Sequence, residues 1–478
     1  MYRKGEFSGI RVPEENKIRK NNERDVFLLN MKKMMAGILA ICMSVMVAAP
    51  AAAAPSIAEG ITKHCKIFVS DGDAGVLTDK NVKTYWNPES GHGVVTITLP
   101  DRAVGGFSIS WFEEPEDFLI SAKDKQGSEC NRYSKESGFT KIKDYFELDA
   151  QVCKITIELQ SKKDAISEIN VFSQGTLPDT VQRWKAPVEK ADLMVISAHQ
   201  DDELLWFSGT IPEYTVDRGK KTVVTYMADC GRFRRKEALD GLWAMGVENH
   251  PVFNRFVDKR TTTLEEGLAL WGGEDAVVGK VVENLRQYKP EVIVTHDVNG
   301  EYGHGGHMAT AYATQKAVEA AKDASQYPES AQKYGTWEVK KLYLHLYNEN
   351  QVQMDWDKPL AAYDGKTGYE VACMGYGMHK SQHRFYQMKK GGPYDNTKFG
   401  LAYTAVGLDT GENDFFEHIN SSGKYGTEKI GGSVWLYVLV VLIIAGGTGA
   451  VYYFNGRGKN GKGTGGIGKE IRQFKIKR

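Results

Sequence analysis

Asp192-Leu193-Met194-Val195-Ile196-Ser197-Ala198-His199-Gln200-Asp201-Asp202-Glu203 is the stretch that decides the fold. Its first half is a short apolar run of the kind that forms a buried strand. Its second half puts one imidazole and three carboxylates into five positions, 199–203. Like charge crowded at a strand end is unfavourable unless a cation neutralises it. A histidine and a nearby aspartate are good ligands for Zn²⁺ or a related divalent ion. The competing reading is a solvated turn whose acids sit at a helix N-terminus.

Outward from this stretch the chain alternates strand and helix. LLWFSGTIPEYTVDRG reads as a helix, KTVVTYMADC as a strand and RRKEALDGLWAMGV as a helix. VVGKVVENLRQY is a helix, EVIVTH a strand, HMATAYATQKAVEAAKDA a helix and KKLYLHLY a strand. Such alternation predicts an α/β fold, a Rossmann-like, mostly parallel sheet with both faces covered. Sites in these sheets lie outside the carboxyl ends of the strands. EVIVTH is followed by Asn299-Gly300-Glu301-Tyr302-Gly303-His304-Gly305-Gly306-His307. Histidines three apart share a face if a helix begins there. Both motifs therefore fall on one rim, and a His and an Asp from the first with a His from the second make three ligands. A catalytic zinc site has three protein ligands and an open position.

These residues resemble the PIG-L/LmbE-type deacetylases, whose signatures are AHPDDE and a later GxYGHxDH. Arg234-Arg235-Lys236-Glu237-Ala238 with Met245-Gly246-Val247 resembles the family's helix ending in LGV, and Lys380-Ser381-Gln382 its HKSQ-like element. The resemblance covers about 190–390. It implies that His199, Asp202 and His307 hold the metal, Zn²⁺ by default with Fe²⁺ as an alternative. It implies that Asp201 is the general base and that His304 faces the carbonyl oxygen as electrophile or acid, with Tyr302 as a further oxyanion donor. Two departures stand out: Gln200 replaces the usual Pro, which only stiffens the turn, and Gly306 replaces the Asp that orients the catalytic His. Arg234, Arg235 and Arg260 follow strand ends and are candidates for holding sugar hydroxyls or phosphate, with solvated helix surface as the competing reading. Gly391–Phe416, rich in Gly, Asn, Asp and aromatics, reads as a binding wall or lid, or as a packing segment. No G-x-S-x-G elbow supports a serine esterase.

Residues 62–175 read differently, as short β-rich runs such as VVTITLP, GGFSISWF and CKITIELQ broken by Gly, Asp and Pro. They predict a β-sandwich of jelly-roll type ahead of the α/β domain at 190–420. Leu77–Pro88 and Ser167–Gly175 resemble elements of discoidin or coagulation-factor type galactose-binding-like domains. That resemblance implies a domain that binds carbohydrate or serves as a spacer; Trp86, Trp111 and Phe112 are candidates to stack on a sugar, and filling the core is the competing reading.

The ends carry the remaining signals. Lys32 and Lys33, an apolar run and Ala51–Ala54 make a signal peptide at 31–54, with 1–30 an upstream extension of the gene model. Val434–Phe454 is long enough, at 1.5 Å per residue, to cross roughly 30 Å of hydrocarbon. The basic tail at 455–478 would stay in the cytoplasm, leaving the catalytic domain outside a single-pass cell membrane anchor. The formal net charge is zero, so whole-chain electrostatics point to no nucleic acid partner. Cys65, Cys130, Cys153, Cys230 and Cys373 show no CxxC spacing, which argues against a thiolate metal site. The combined expectation is a metal-dependent hydrolase that removes acetyl groups from N-acetylated sugars on surface glycans. The alternative is a catalytically weak or inactive glycan-binding protein.

Overall fold

The computed structural model describes residues 56–135 and 141–419. The expected upstream extension, signal peptide, membrane span and basic tail lie outside the described residues. Among the described residues no helix is long and apolar enough to cross a membrane. Residues 56–59 and 174–177 form a small unit of their own, joined by a parallel bridge between Ile57 and Thr176. The rest of the described chain forms the other unit.

The first half of the larger unit is two antiparallel sheets. One has the order β1 (Lys66–Val69), β2 (Gly93–Thr98), β7 (Lys154–Leu159), β4 (Phe118–Lys123), β5 (Glu129–Ser134). The other has β6 (Lys143–Glu147), β3 (Val104–Trp111), β8 (Ile166–Ser173). Alternation decides which side chains meet between them, because successive strand residues face opposite ways. Val95, Ile97, Ile120, Ile155 and Ile157 of the first sheet share a core with Phe107, Ile109, Trp111, Ile169 and Val171 of the second. Trp86 belongs to this core: it is 3% exposed and its Nε1 donates to the Asp71 carbonyl at 2.7 Å. Its ring is therefore consumed by packing, which corrects its reading as a sugar-stacking residue. Trp111 is equally buried, and only Phe112 reaches outward.

The second half is one sheet with the order β11 (Val252–Val257), β10 (Thr222–Asp229), β9 (Leu193–Ser197), β12 (Val292–Thr295), β13 (Lys341–His345), β15 (Lys398–Thr404), β14 (Gln351–Gln353). The first five strands run parallel, and β15 turns back antiparallel to both its neighbours. β9 is apolar on both faces because both are covered. Leu193 and Val195 face a layer holding Leu239 and Leu242 of α2 (Arg232–Ala244). Met194 and Ile196 face α4 (Glu274–Tyr288) and α5 (Gly305–Ala321) through Val278, Val282 and Ala313. Two shorter helices, α1 (Asp202–Leu205) and α3 (Leu264–Leu270), precede these layers, and α6 (Pro328–Tyr334) and α7 (Gly368–Tyr376) follow.

Two expectations fail locally. The helix read over LLWFSGTIPEYTVDRG is only α1 followed by a π-helical stretch at Ile211–Asp217. Ser208 has φ 39°, and a Cβ on Gly209 would lie 2.5 Å from the Trp356 ring, so the chain passes too close to Trp356 for an ordinary helix. Gly391–Phe416 is not a loop throughout: β15 runs through its middle, and Phe415 and Phe416 are buried in the core. The five cysteines within the described residues are all free thiols.

Candidate functional site

The order of chain entry reverses between β9 and β12, and in open α/β sheets ligands bind at that crevice. Both motifs leave the sheet there. His199 Nδ1 lies 3.1 Å from Asp202 Oδ2 and 3.2 Å from His307 Nε2, and His307 Nε2 lies 3.4 Å from Asp202 Oδ2. Ligand bonds of about 2.0–2.1 Å in a tetrahedron put neighbouring donors roughly 3.3 Å apart, so the three atoms fit one small divalent ion. Although burial opposes it, the imidazoles of His307, His199 and His296 hold the Asp202 carboxyl well below the usual carboxylate range. An ionised, buried carboxylate facing two imidazole nitrogens is the donor set such an ion requires. Trp206 Nε1 and the His199 backbone N–H fix the carboxylate by donating to it at 2.9 and 2.8 Å.

A buried residue that sequence reasoning left without a role organises these imidazoles. Glu301 Oε2 accepts from His307 Nδ1 at 2.6 Å and from His296 Nδ1 at 2.7 Å, and its Oε1 accepts from His345 Nδ1 at 2.7 Å. Burial works against the Glu301 carboxylate, yet the three histidines keep it ionised, well below its ordinary range. With Nδ1–H spent on Glu301, His307 turns a bare Nε2 toward the site, as metal-ligating histidines do. His296 stands as close, 3.5 Å from Asp202 Oδ2, but its Nε2 accepts the Ala198 backbone N–H at 2.8 Å. Its lone pair is used, so it is a support and not a ligand. The signal for these partners was in the sequence: His296 and His345 lie at the carboxyl ends of EVIVTH and KKLYLHLY.

Asp201 is brought to the same place but stays outside the ligand set. It is buried, has φ 125°, and its Oδ1 meets Arg234 Nη2 at 2.8 Å. A non-glycine residue at such a φ is strained, which the surrounding structure must hold. Burial raises its carboxyl well above the usual range against the pull of Arg234, with Asp202 and Glu203 adding to the rise. Arg234, read as a substrate contact, is thus spent on Asp201 and on the Gln200 carbonyl. Gln200 does more than fill in for a proline: its amide spans to the end of β10, donating to the Ala228 carbonyl at 2.9 Å.

His304 caps α5, its Nδ1 accepting the Gly306 N–H at 3.1 Å, which leaves the ring proton on Nε2. Burial first, then His199 and His307, push it down to about 3, so the ring is neutral. No carboxylate among the described residues takes the place of the missing Asp at 306. Tyr302 (φ 48°) sets its ring edge-to-face with His304 at 5.7 Å and tilted against Tyr386 at 5.2 Å, and Trp206 and Tyr394 complete an aromatic wall. Arg260 is exposed; burial raises the Tyr386 phenol above its ordinary range, and Arg260 lies near enough to oppose that rise. His379, beside Lys380-Ser381-Gln382, is fully buried, with Nε2 4.0 Å from Glu203 Oε1.

A site of this kind offers an ion seat with protein on three sides, a carboxylate free to move a proton and a neutral imidazole N–H aimed inward. Residues 194–318 match the family model described as PIG-L: GlcNAc-PI de-N-acetylase. A 1D-myo-inositol 2-acetamido-2-deoxy-alpha-D-glucopyranoside deacetylase of Rhodococcus jostii is 32% identical over 179 residues, 32% of this chain and 60% of that protein. A mycothiol S-conjugate amidase of Streptomyces coelicolor is 31% identical over 183 residues, 33% of this chain and 60% of that protein. The chain thus spans about three-fifths of the length of these curated relatives. Among solved structures, an N,N'-diacetylchitobiose deacetylase from Pyrococcus horikoshii is 17% identical with a TM-score of 0.32, covering 41% of this chain and 72% of that one. His199, Asp202 and His307 all fall within the residues, 194–318, that match this family model.

Proposed function

We propose that this chain is a metal-dependent hydrolase that removes the acetyl group from N-acetylated sugars. The single observation that carries the reading is the convergence of His199 Nδ1, Asp202 Oδ2 and His307 Nε2 within 3.1–3.4 Å, with Asp201 alongside and outside that set. His199, Asp202 and His307 would hold the ion, zinc by default and ferrous iron as the alternative. When bound, it supplies Lewis acidity, making water nucleophilic near neutral pH and polarising the amide carbonyl.

The chain's own groups do the rest. Asp201 takes the proton from the attacking water; a positioned base is worth about 10²–10⁴ in rate. The Nε2–H of His304 donates to the carbonyl oxygen as negative charge develops, and Tyr302 is the second donor. A neutral N–H that keeps its proton suits the electrophile's role rather than the acid's. Asp201, whose carboxyl is raised by burial, then returns its proton to the leaving nitrogen. Arg260 and the Trp206–Tyr302–Tyr386–Tyr394 wall meet the sugar.

The setting of the enzyme is part of the proposal. The sandwich delivers the site to glycans as a galactose-binding-like domain, and the segments at 31–54 and 434–454 keep it outside a single-pass membrane anchor. The test is acetate release from a panel of N-acetyl sugars by the full chain, before and after chelation. Chelator-sensitive release, restored by zinc, is expected. A protein that binds the ion and releases no acetate is the glycan-binding alternative.

A further inference from the structure

The face where the sandwich meets α2 is built from charge. The β3–β4 connection presents Phe112, Glu113 and Glu114, and each engages an arginine of the α/β domain. Arg232 lays its guanidinium 3.7 Å from the Phe112 ring centroid, a cation–π distance, while Tyr85 packs that ring from the sandwich at 3.8 Å. Arg235 is 2% exposed and bridges Glu113 on the sandwich to Asp229 at the end of β10. Arg255, held at φ 63°, pairs with Glu114 at 2.7 Å. Lys143 of β6 pairs with Asp240 farther along α2.

Arg232, Arg235 and Lys236 lie on one side of α2, since residues three and four apart share a face. Arg234 lies roughly 200° round from Arg232, on the side that grips Asp201. One rigid helix therefore carries the sandwich on one side and the proton-handling carboxylate on the other. The side facing the sandwich is short of negative charge. Lys236 is 4% exposed, its ammonium without a hydrogen-bond partner among the described residues, and burial, then Lys143 and Arg232, push it down to about 8. Glu113 opposes that push. Without it, Arg235 would keep only Asp229 and Lys143 only Asp240, leaving Arg232 and the buried Lys236 with less negative charge to offset them.

We propose that the sandwich is a working part of the hydrolase, and that Glu113 is a positioning residue: by holding Arg235 across the junction it seats α2 where Arg234 grips Asp201. This rests on the hydrolase reading above. It also means that the catalytic half is not self-sufficient, because one wall of its active-site helix comes from residues 112–114.

The test is a double-mutant cycle in the full chain. Glu113→Ala is expected to lower kcat about ten-fold, with KM and bound metal unchanged. In an Arg234→Ala background it should cost nothing further, because the residue it acts through is gone. Glu113→Gln, which keeps the shape and drops the charge, serves if the alanine variant does not fold. Glu129→Ala, on an exposed pair with Arg132 in β5, is the neutral control. An unchanged kcat, or equal losses in both backgrounds, overturns the proposal. Hydrogen exchange provides a readout independent of turnover: Glu113→Ala should speed exchange at amides 232–240 selectively. If the wild type releases no acetate, the hydrolase reading fails by itself, and unaltered exchange at α2 would sink the junction role separately.

Discussion

Two neighbouring aspartates with opposite electrostatics set the chemistry. Asp202 faces three imidazoles and is held ionised, whereas Asp201 is pushed up by burial, against the pull of Arg234 and with neighbouring carboxylates adding to the rise. Asp201→Asn should therefore cost at least about 10² in kcat while the protein keeps its ion; full activity in that variant, measured by acetate release, would end the base assignment. Glu301 acts one step away. Glu301→Ala removes the acceptor that orients His307 and should weaken metal affinity by about 10–100-fold, read by titration against a chromogenic chelator. Much of this site was legible as sequence, since a His and two Asp at a strand end and His304 with His307 after another strand stand out by spacing. His296 and His345 were marked only by their place at strand ends, and Glu301 by nothing of its own, because a support is recognised by what it touches. Trp86 was open for the same reason: nothing in LTDKNVKTYWNP decides between sugar stacking and the core, and the indole turns inward to Asp71.

At the scale of elements, strands and long helices followed apolar periodicity, and the exceptions are where tertiary contact overrode it. The π-helical turn at Ile211–Asp217 and the strand inside 391–416 depend on Trp356 and on β13 and β14, partners remote in sequence. α4 and α5 illustrate a contact that no local pattern reveals. Arg286 near the end of α4 is fully buried and donates to the carbonyls of Ala320, Ala321, Asp323, Gln326 and Tyr327, and to Ser330 Oγ. It ties off the end of α5, where carbonyls lack helical partners. Arg286→Met should destabilise the protein by about 3 kcal/mol or more, because those acceptors are left dry. Denaturant midpoints would check this, and a change below 1 kcal/mol, on the order of one ordinary hydrogen bond, would refute it.

The molecule as a whole joins a charged junction to a dry interior, and its stability should show both. His250 is buried against Trp184 and Phe253, donates Nδ1–H to the Pro251 carbonyl at 2.8 Å, and is pushed by burial from 6.5 down to about 4. A group whose folded value is depressed contributes stability above its unfolded value and loses it as pH falls through the folded one. Stability should therefore decline from pH 6.5 toward 4 on account of this ring. The loss is on the order of 3 kcal/mol, since each tenfold change in proton affinity is worth about 1.4 kcal/mol. His250→Gln should flatten that decline in acid unfolding curves; an identical slope would show that the ring plays no part in it.

The proposed chemistry turns on a single divalent ion at the β9–β12 crevice. The most direct measurement is an anomalous diffraction map of the full chain grown with zinc, alongside metal content for Asp202→Ala. One peak is expected within bonding distance of His199 Nδ1, Asp202 Oδ2 and His307 Nε2, with Asp201 clear of it, and that peak should vanish in the variant. A peak centred on His296, or no peak with His199 and His307 bonded only to each other, would contradict the metal-dependent reading.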